Sequence, residues 1–245
     1  MGKYKHDRPT IGVLAGWQVY AGTLDTFLGP VYRGIRTAAH DLGCNLLLSC
    51  SVDPGTGREN RRPAWPVPLP NVDFIPVGPE NADGLIAVGQ FTSEPQARYL
   101  QQLLADGYPL VFVGAGENGP SVVADNESGI RQAVEHLVEH GHRRIVFIAG
   151  YEGDVNGDSA RRLAAYRAVV REQGLEFDPR LIAYGSHSSS GGQRAMEQIL
   201  TSGVPFTAVL ASNDRSALGA MCALHNAGLS VPQDVAVVGF DDRPE

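Results

Sequence analysis

Short apolar segments rich in β-branched residues alternate with longer amphipathic segments along most of this chain. Neighbouring parallel strands need a crossover of about a dozen residues or more, and a helix usually supplies it. The alternation therefore predicts an α/β protein with parallel sheets flanked by helices. We expect strands at residues 11–15, 45–51, 84–88, 110–113, 121–124, 144–149, 181–184, 208–211 and 234–239. We expect helices near residues 29–42, 94–106, 127–140, 159–173, 191–202 and 214–227.

The segment 127–140 illustrates how the helices are recognised. Apolar residues recur at helical spacing, namely Ile130, Ala133, Val134, Leu137 and Val138. Charged residues such as Arg131 and Glu135 occupy the opposite face. Such a segment packs one stripe on a sheet and exposes the other to water. The glycine at position 141 is expected to end this helix in a left-handed conformation.

Composition limits the class of protein. A chain of 245 residues that is 43% hydrophobic can bury the core of one large or two medium lobes. No segment approaches the roughly 18 to 20 apolar residues of a membrane span, and no apolar signal segment precedes Thr10. Three cysteines, Cys44, Cys50 and Cys222, lack C-x-x-C spacing, which favours buried free thiols in a reducing cytoplasm. The net charge of −7 disfavours a general nucleic-acid surface.

A domain boundary is expected where Gly114 to Pro120 joins two strands without an intervening helix. We therefore expect an amino-terminal tail at 1–9, a first lobe at 10–116 and a second lobe at 117–245. The same segment matches G-x-G-x-x-G. A dinucleotide site is not expected there, because a strand rather than a helix follows the glycines.

The stretch 53–81 contains seven prolines and interrupts the first lobe. Proline lacks a backbone donor and holds its predecessor in an extended conformation, so an irregular, semi-rigid insertion is expected. It could be a surface arm packed on its own lobe. Alternatively, Trp65 and Phe74 could cover a ligand cleft or a partner subunit.

Two histidine patterns could indicate an enzyme or metal site, but both have a simpler explanation. His187 lies among serines, but the segment lacks G-x-S-x-G and is better explained as a polar loop between a strand and a helix. The histidines at 136, 140 and 142 have no cysteine or glutamate at zinc-site spacing, which favours solvated side chains. We expect no cofactor, no metal and no catalytic residue.

Four segments carry a family resemblance. They are Asp125-Asn-Glu-Ser-Gly, Gly141-His-Arg-Arg-Ile, Ala211-Ser-Asn-Asp and Val237-Val-Gly-Phe-Asp-Asp, in this order. Together they resemble the effector-binding domain of LacI-type transcriptional regulators, which has a periplasmic-binding-protein-like fold. The resemblance implies two Rossmann-like lobes with a ligand in the cleft between them. The family continues beyond the fourth segment and returns to the first lobe, so we expect the carboxyl-terminal part to be missing here.

The resemblance also implies ligand-binding positions, which are Trp17, Tyr20, Asp125, Arg162, Asn213, Asp214 and Asp241. Five of them have a local alternative: the aromatic residues could cover a helix, Asp125 and Asn213 could cap one, and Arg162 could be solvated. The family segment around Arg162 has a glycine where Ala165 stands. Carboxylates accept hydrogen bonds from hydroxyl groups, so a hydroxyl-rich or amine-bearing ligand is expected.

The function expected from the resemblance is that of a small-molecule sensing domain in a bacterial LacI-type transcriptional regulator. Its partners would be a small polar ligand, such as a sugar or nucleoside, and a second copy of the chain. DNA would be bound only through a module absent from this sequence, and no membrane contact is expected. The alternatives are a sensing domain of a signalling protein, such as a histidine kinase, and a solute-binding protein of a transporter.

Overall fold

The computed structural model describes residues 7–15, 28–49, 77–88, 94–114, 119–155 and 157–243. The chain folds into two compact units, Met1–Ala124 and Asp125–Glu245. Each unit contains one parallel sheet flanked by helices. The predicted α/β class is therefore confirmed.

The described residues of the first unit form a five-stranded parallel sheet in the order β2-β1-β3-β4-β5. Its elements are β1 (Thr10–Leu14), α1 (Leu28–Asp41), β2 (Asn45–Leu48), β3 (Gly84–Val88), α2 (Glu94–Ala105), β4 (Leu110–Val113) and β5 (Ser121–Val122). Leu14 and Phe112 pack with Leu100 of α2 on one face of the sheet. Val13 and Val88 pack with α1 on the other face, because successive strand residues point to opposite sides.

The second unit has a four-stranded parallel sheet in the order β7-β6-β8-β9. Its elements are α3 (Asn126–Glu139), β6 (Ile145–Ala149), α4 (Asp158–Glu172), β7 (Ile182–Tyr184), α5 (Ser189–Ser202), β8 (Ala208–Ala211), α6 (Asp214–Asn226) and β9 (Ala236–Val238). The chain passes from β6 to β7 on one side and then crosses to β8 on the other side of β6.

The central strands of this sheet are buried on both faces. Every residue of β6 and β8 is buried. Phe147 belongs to a core with α3 and α4, and its ring stacks on Tyr166 with 4.6 Å between the ring centroids. Val146 and Ile148 belong to a second core with α5 and α6. A continuous apolar strand is typical of a parallel sheet covered by helices on both sides.

Helices α5 and α6 approach each other closely because two glycines lie between them. A Cβ atom at Gly219 would come within 2.0 Å of the backbone oxygen of Ser189, and one at Gly192 within 2.3 Å of the backbone oxygen of Ser216. Both distances are shorter than any real Cβ contact. The two helices can hold this separation only without side chains at these positions.

Several local expectations differ from the structure. Strand β5 pairs with β4, so Ser121 and Val122 lie in the first sheet although the sequence boundary assigned them to the second lobe. Cys222 is exposed and Cys44 half-buried, so the expectation that these thiols are buried was wrong. Cys222 lies beside the apolar stripe of α6 rather than on it, since Ala220, Ala223 and Leu224 face the core.

Other expectations are met or lie outside the described residues. Gly141 has a φ of 89°, in the left-handed region predicted for the end of α3. Within the insertion 53–81, only residues 77–81 are described, and Val77 packs in the first core. Trp65, Phe74 and Cys50 lie outside the described residues. None of the described helices combines the length and apolar character required to cross a membrane.

We predict that Gly219→Ala destabilises the second unit by about 1 to 3 kcal/mol, because the added methyl group forces α5 and α6 apart. Urea unfolding monitored by circular dichroism measures the change. Cys222→Ala in the same helix is the matched control and is expected to be close to neutral, since the thiol is exposed. Equal stabilities of the two variants would contradict the close approach of the helices.

Candidate functional site

The carboxyl ends of the strands in the second unit collect an unusual set of polar side chains. Helix α4, which follows β6, packs on one face of the sheet, whereas α6, which follows β8, packs on the other. In an open parallel sheet, such a reversal leaves a crevice at the carboxyl ends of the strands, where ligands bind. The loops after β6, β7, β8 and β9 all reach this edge.

Arg162 of α4 is the buried cation of this edge, with only 4% of its surface exposed. Its Nε donates to Oδ1 of Asn126 at 2.7 Å, and its Nη1 donates to the backbone oxygen of Ser212. The same Nη1 lies 3.5 Å from Oδ1 of Asp241. The guanidinium carbon lies 3.9 Å from the ring centroid of Phe240. The planar donors of arginine are suited to several acceptors at once.

Asn126 connects Arg162 to a second carboxylate. Its amide Nδ2 donates to Oδ1 of Asp158 at 2.8 Å while its oxygen accepts from Arg162. Burial lowers the pKa of Arg162, and the neighbouring Asp241 and Asp158 carboxylates oppose that shift. Since arginine stays protonated in proteins, the side chain remains a cation surrounded by acceptors.

Asp241 lies on the loop after β9, and its side chain is 14% exposed. Burial raises the pKa of its carboxyl group, Arg162 lowers it, and the nearby Asp214 raises it. Its φ is 109° and that of Asp242 is 53°, in the left-handed region that non-glycine residues rarely adopt. A strained backbone thus holds this carboxylate beside the buried arginine.

Asn213 and Asp214 begin α6 directly after β8. Oδ1 of Asn213 caps the helix by accepting from the backbone N–H of Ser216 at 3.0 Å, and its Nδ2 donates to the backbone oxygen of His187 at 3.3 Å. Oδ2 of Asp214 accepts from the backbone N–H of Arg243 at 2.7 Å. These contacts join the loops after β7, β8 and β9.

His187, on the loop after β7, lies at the same edge. Its Nε2 is 2.8 Å from Oγ of Ser159, and its ring meets Tyr151 edge to face with 5.2 Å between the centroids. Oγ of Ser159 also accepts from the backbone N–H of Tyr151 at 3.1 Å. A Cβ atom at Gly150 would come within 2.2 Å of both polar atoms of the pair. Glycine at position 150 is therefore required for this contact.

Backbone strain concentrates in the two loops that carry these side chains. Among the described residues, positive φ angles outside glycine occur at Ser186, His187, Asp241 and Asp242. Such conformations cost on the order of 1 to 3 kcal/mol each and persist where the surrounding structure enforces them. Their concentration at one edge is typical of a functional site.

The structure brings together four of the seven expected positions, namely Arg162, Asn213, Asp214 and Asp241. Arg162 is buried, so the alternative of a solvated helix residue does not apply. Asp125 is exposed and caps α3 by accepting from the backbone N–H of Ser128 at 3.0 Å, a hydrogen bond that lowers the pKa of its carboxyl group. Trp17 and Tyr20 lie outside the described residues. Ligand contact at all seven positions stays a prediction.

Sequence reasoning missed Ser159, Asp158 and the role of His187 at this edge. His187 does lie on the expected loop, but its ring turns toward α4. One signal was available: Gly150 directly follows β6, and His187 lies three residues after β7. Both positions are therefore at the carboxyl edge. In the described part of the chain, no group of three His, Cys, Asp or Glu side chains is arranged to hold a metal ion.

Comparison with known proteins identifies relatives of the chain. Residues 134–245 match the family model described as periplasmic binding protein-like domain. The HTH-type transcriptional regulator CelR of Thermobifida fusca is 36% identical over 168 residues, which are 66% of this chain and 48% of CelR. The ribose operon repressor of Escherichia coli is 29% identical over 235 residues, 95% of this chain and 65% of the repressor. The chain thus spans less than two thirds of these relatives.

Solved structures show the same similarity. A complex of CelR with cellobiose superimposes with a TM-score of 0.72 and 27% identity, covering 96% of this chain and 68% of that protein. A sugar-binding transcriptional regulator of the LacI family from Escherichia coli superimposes with a TM-score of 0.69 and 25% identity, covering 96% and 79%. The resemblance seen in the sequence is confirmed: the chain is a relative of the LacI-type transcriptional regulators and has the periplasmic-binding-protein-like fold of their effector-binding domains.

Proposed function

We propose that the chain is the effector-binding domain of a bacterial LacI-type transcriptional regulator, and that the carboxyl edge of its second sheet binds a small sugar-like ligand. The observation that supports this most directly is the pairing of Arg162 with Asp241 at this edge. A fixed donor beside fixed carboxylate acceptors suits a ligand whose hydroxyl groups both donate and accept. The site serves sensing rather than catalysis.

The charges at this edge favour an uncharged, hydroxyl-rich ligand. Asp158, Asp214 and Asp241 contribute three carboxylates, and the electrostatic environment of Arg162 includes all three. An anionic ligand would meet repulsion from these groups. Carboxylates that already face a buried arginine can still accept hydrogen bonds from vicinal hydroxyl groups. The cellobiose complex of CelR and the ribose operon repressor support a sugar over a nucleoside.

The relatives favour a regulator over a signalling sensor or a transporter-associated binding protein. Both relatives named above are transcriptional regulators or repressors. In the whole protein we propose that a ligand changes the relation between two paired subunits and so the affinity of a separate DNA-binding module. A ligand shifts such an equilibrium only by its different affinity for the two states. A cytoplasmic location follows from this role.

We predict that cellobiose or D-ribose stabilises the chain against thermal unfolding. A ligand at 100 times its dissociation constant adds about 2.7 kcal/mol to the free energy of unfolding. Asp241→Asn should weaken binding about tenfold to a hundredfold, because it removes a charged acceptor. Differential scanning fluorimetry and isothermal titration calorimetry measure both effects.

Asp234→Asn is the matched control for Asp241→Asn. Asp234 lies in the exposed turn before β9, at the opposite edge of the sheet, where its carboxylate accepts from the backbone N–H of Ser230. Its replacement should leave sugar affinity unchanged. If both variants bind sugar as tightly as the wild type, or if no sugar in a broad panel stabilises the chain, the proposed site is incorrect.

We predict that Arg162→Lys lowers the free energy of unfolding by about 1.5 to 3 kcal/mol, since an ammonium group cannot reach Asn126, Ser212 and Asp241 together. It should also weaken sugar binding. Arg161→Lys, on the exposed face of the same helix, is the control and should change neither quantity. If urea unfolding gives the same free energy for Arg162→Lys as for the wild type, the hydrogen bonds of the guanidinium group are not required for stability.

A further inference from the structure

The imidazole of His187 occupies a position that the family resemblance did not assign. The ring lies between the first turn of α4, where Ser159 contacts Nε2, and the loop after β6, where the Tyr151 ring packs edge to face with it. The backbone oxygen of His187 accepts from the side chain of Asn213. Both the ring and its backbone are thus held by the segments that carry the proposed ligand site.

The hydrogen bonds of Ser159 favour one of the two neutral tautomers of the ring. Oγ of Ser159 accepts from the backbone N–H of Tyr151 and has one proton of its own to donate. Donation of that proton to Nε2 satisfies both groups and requires the neutral tautomer with hydrogen on Nδ1. If Nε2 carried a proton, the serine hydroxyl proton would lose this acceptor.

The charges around the ring oppose its protonation. Burial is the largest cause that lowers the pKa of His187, and the positive charge of Arg162 lowers it further. Asp158 and Asp154 raise it, as does a hydrogen bond with Asn213, but the net shift is downward from 6.5. These groups come from α4, the loop after β6 and the start of α6, which are the segments that surround the ring.

We propose that Ser159 and His187 form a proton-sensitive pair in the ligand site, in which the neutral imidazole permits binding of an uncharged polyhydroxy ligand and the protonated imidazole weakens it. The part of this inference that concerns the ligand rests on the proposed function. Protonation places a second cation beside Arg162 and removes the acceptor of the Ser159 hydroxyl. A bound neutral ligand excludes water from the ring and disfavours the cation further.

The direction of the pH dependence follows from this arrangement. The pKa of His187 is lowered in the free protein and lowered again in the complex. Sugar affinity is therefore highest at pH values above the pKa of His187 in the free protein. Below that pKa, the affinity falls with acidification by up to about tenfold per pH unit. An anionic ligand would produce the opposite sign, because it would stabilise the protonated ring.

The first test needs no ligand. Nuclear magnetic resonance of the full 245-residue chain follows the imidazole signals between pH 5 and 8, and the signal lost in His187→Asn identifies His187. Asparagine is chosen because it tolerates the positive φ at this position. We expect His187 to titrate below the ordinary range of histidine and to carry hydrogen on Nδ1 at neutral pH.

Ser159→Ala provides a second, independent variant. Without the hydroxyl donor the neutral ring loses its partner, so the midpoint of His187 should move upward. His225→Asn, on the exposed face of α6, is the control and should leave the His187 titration unchanged. The inference is contradicted if His187 titrates in the ordinary range of histidine or carries hydrogen on Nε2 at neutral pH. It is also contradicted if Ser159→Ala leaves the His187 titration unchanged.

The second test measures the dissociation constants of cellobiose and D-ribose at pH 7.5 and 5.5. Wild type and His225→Asn should bind more weakly at the lower pH, whereas His187→Asn should show a smaller difference, caused by groups such as Asp241. The inference is contradicted if the wild type binds sugar more tightly at pH 5.5 than at pH 7.5. It is also contradicted if the dissociation constant of His187→Asn changes with pH as much as that of the wild type. If neither sugar binds at either pH, the proposed ligand class fails, and the ligand-free titration still decides whether the pair exists.

Discussion

The burial of one guanidinium group is the constraint on which the site depends. A charge removed from water is tolerated only where hydrogen bonds and opposite charges replace the solvent. Arg162 obtains these from the start of α3, the end of β8 and the loop after β9. Segments far apart in the sequence must therefore meet at one point, and their other polar groups are brought together with them.

The rest of the second unit supplies a rigid support for this point. Strands β6 and β8 are buried on both faces, so the loops that leave their carboxyl ends begin from fixed positions. Glycine at position 150 leaves room for the Ser159–His187 contact, and the strained backbone at Asp241 directs its carboxylate toward Arg162. A preorganised arrangement of this kind orders few groups when a ligand binds, which favours affinity.

Much of this organisation could be predicted from the sequence. In the described residues, hydrophobic periodicity located the six α-helices to within two residues at each end, and β-branched runs located the strands, because both patterns are local. Family motifs indicated Arg162 and Asp241. The pairing of β5 with β4 and the exposure of Cys222 could not be predicted from local patterns. The first depends on which strand lies beside β5, and the second on which neighbours cover the side chain.

The sequence by itself determined the α/β class, the succession of elements and the polar residues that end each strand of the second sheet. Only the tertiary structure decided that Asn126 rather than Asp125 joins Arg162, and that Ser159 meets His187 across 28 residues. The reason is that secondary structure follows from interactions between near neighbours in the chain. A site at the carboxyl edge of a parallel sheet is formed by loops whose spacing in the sequence does not encode their distance in space.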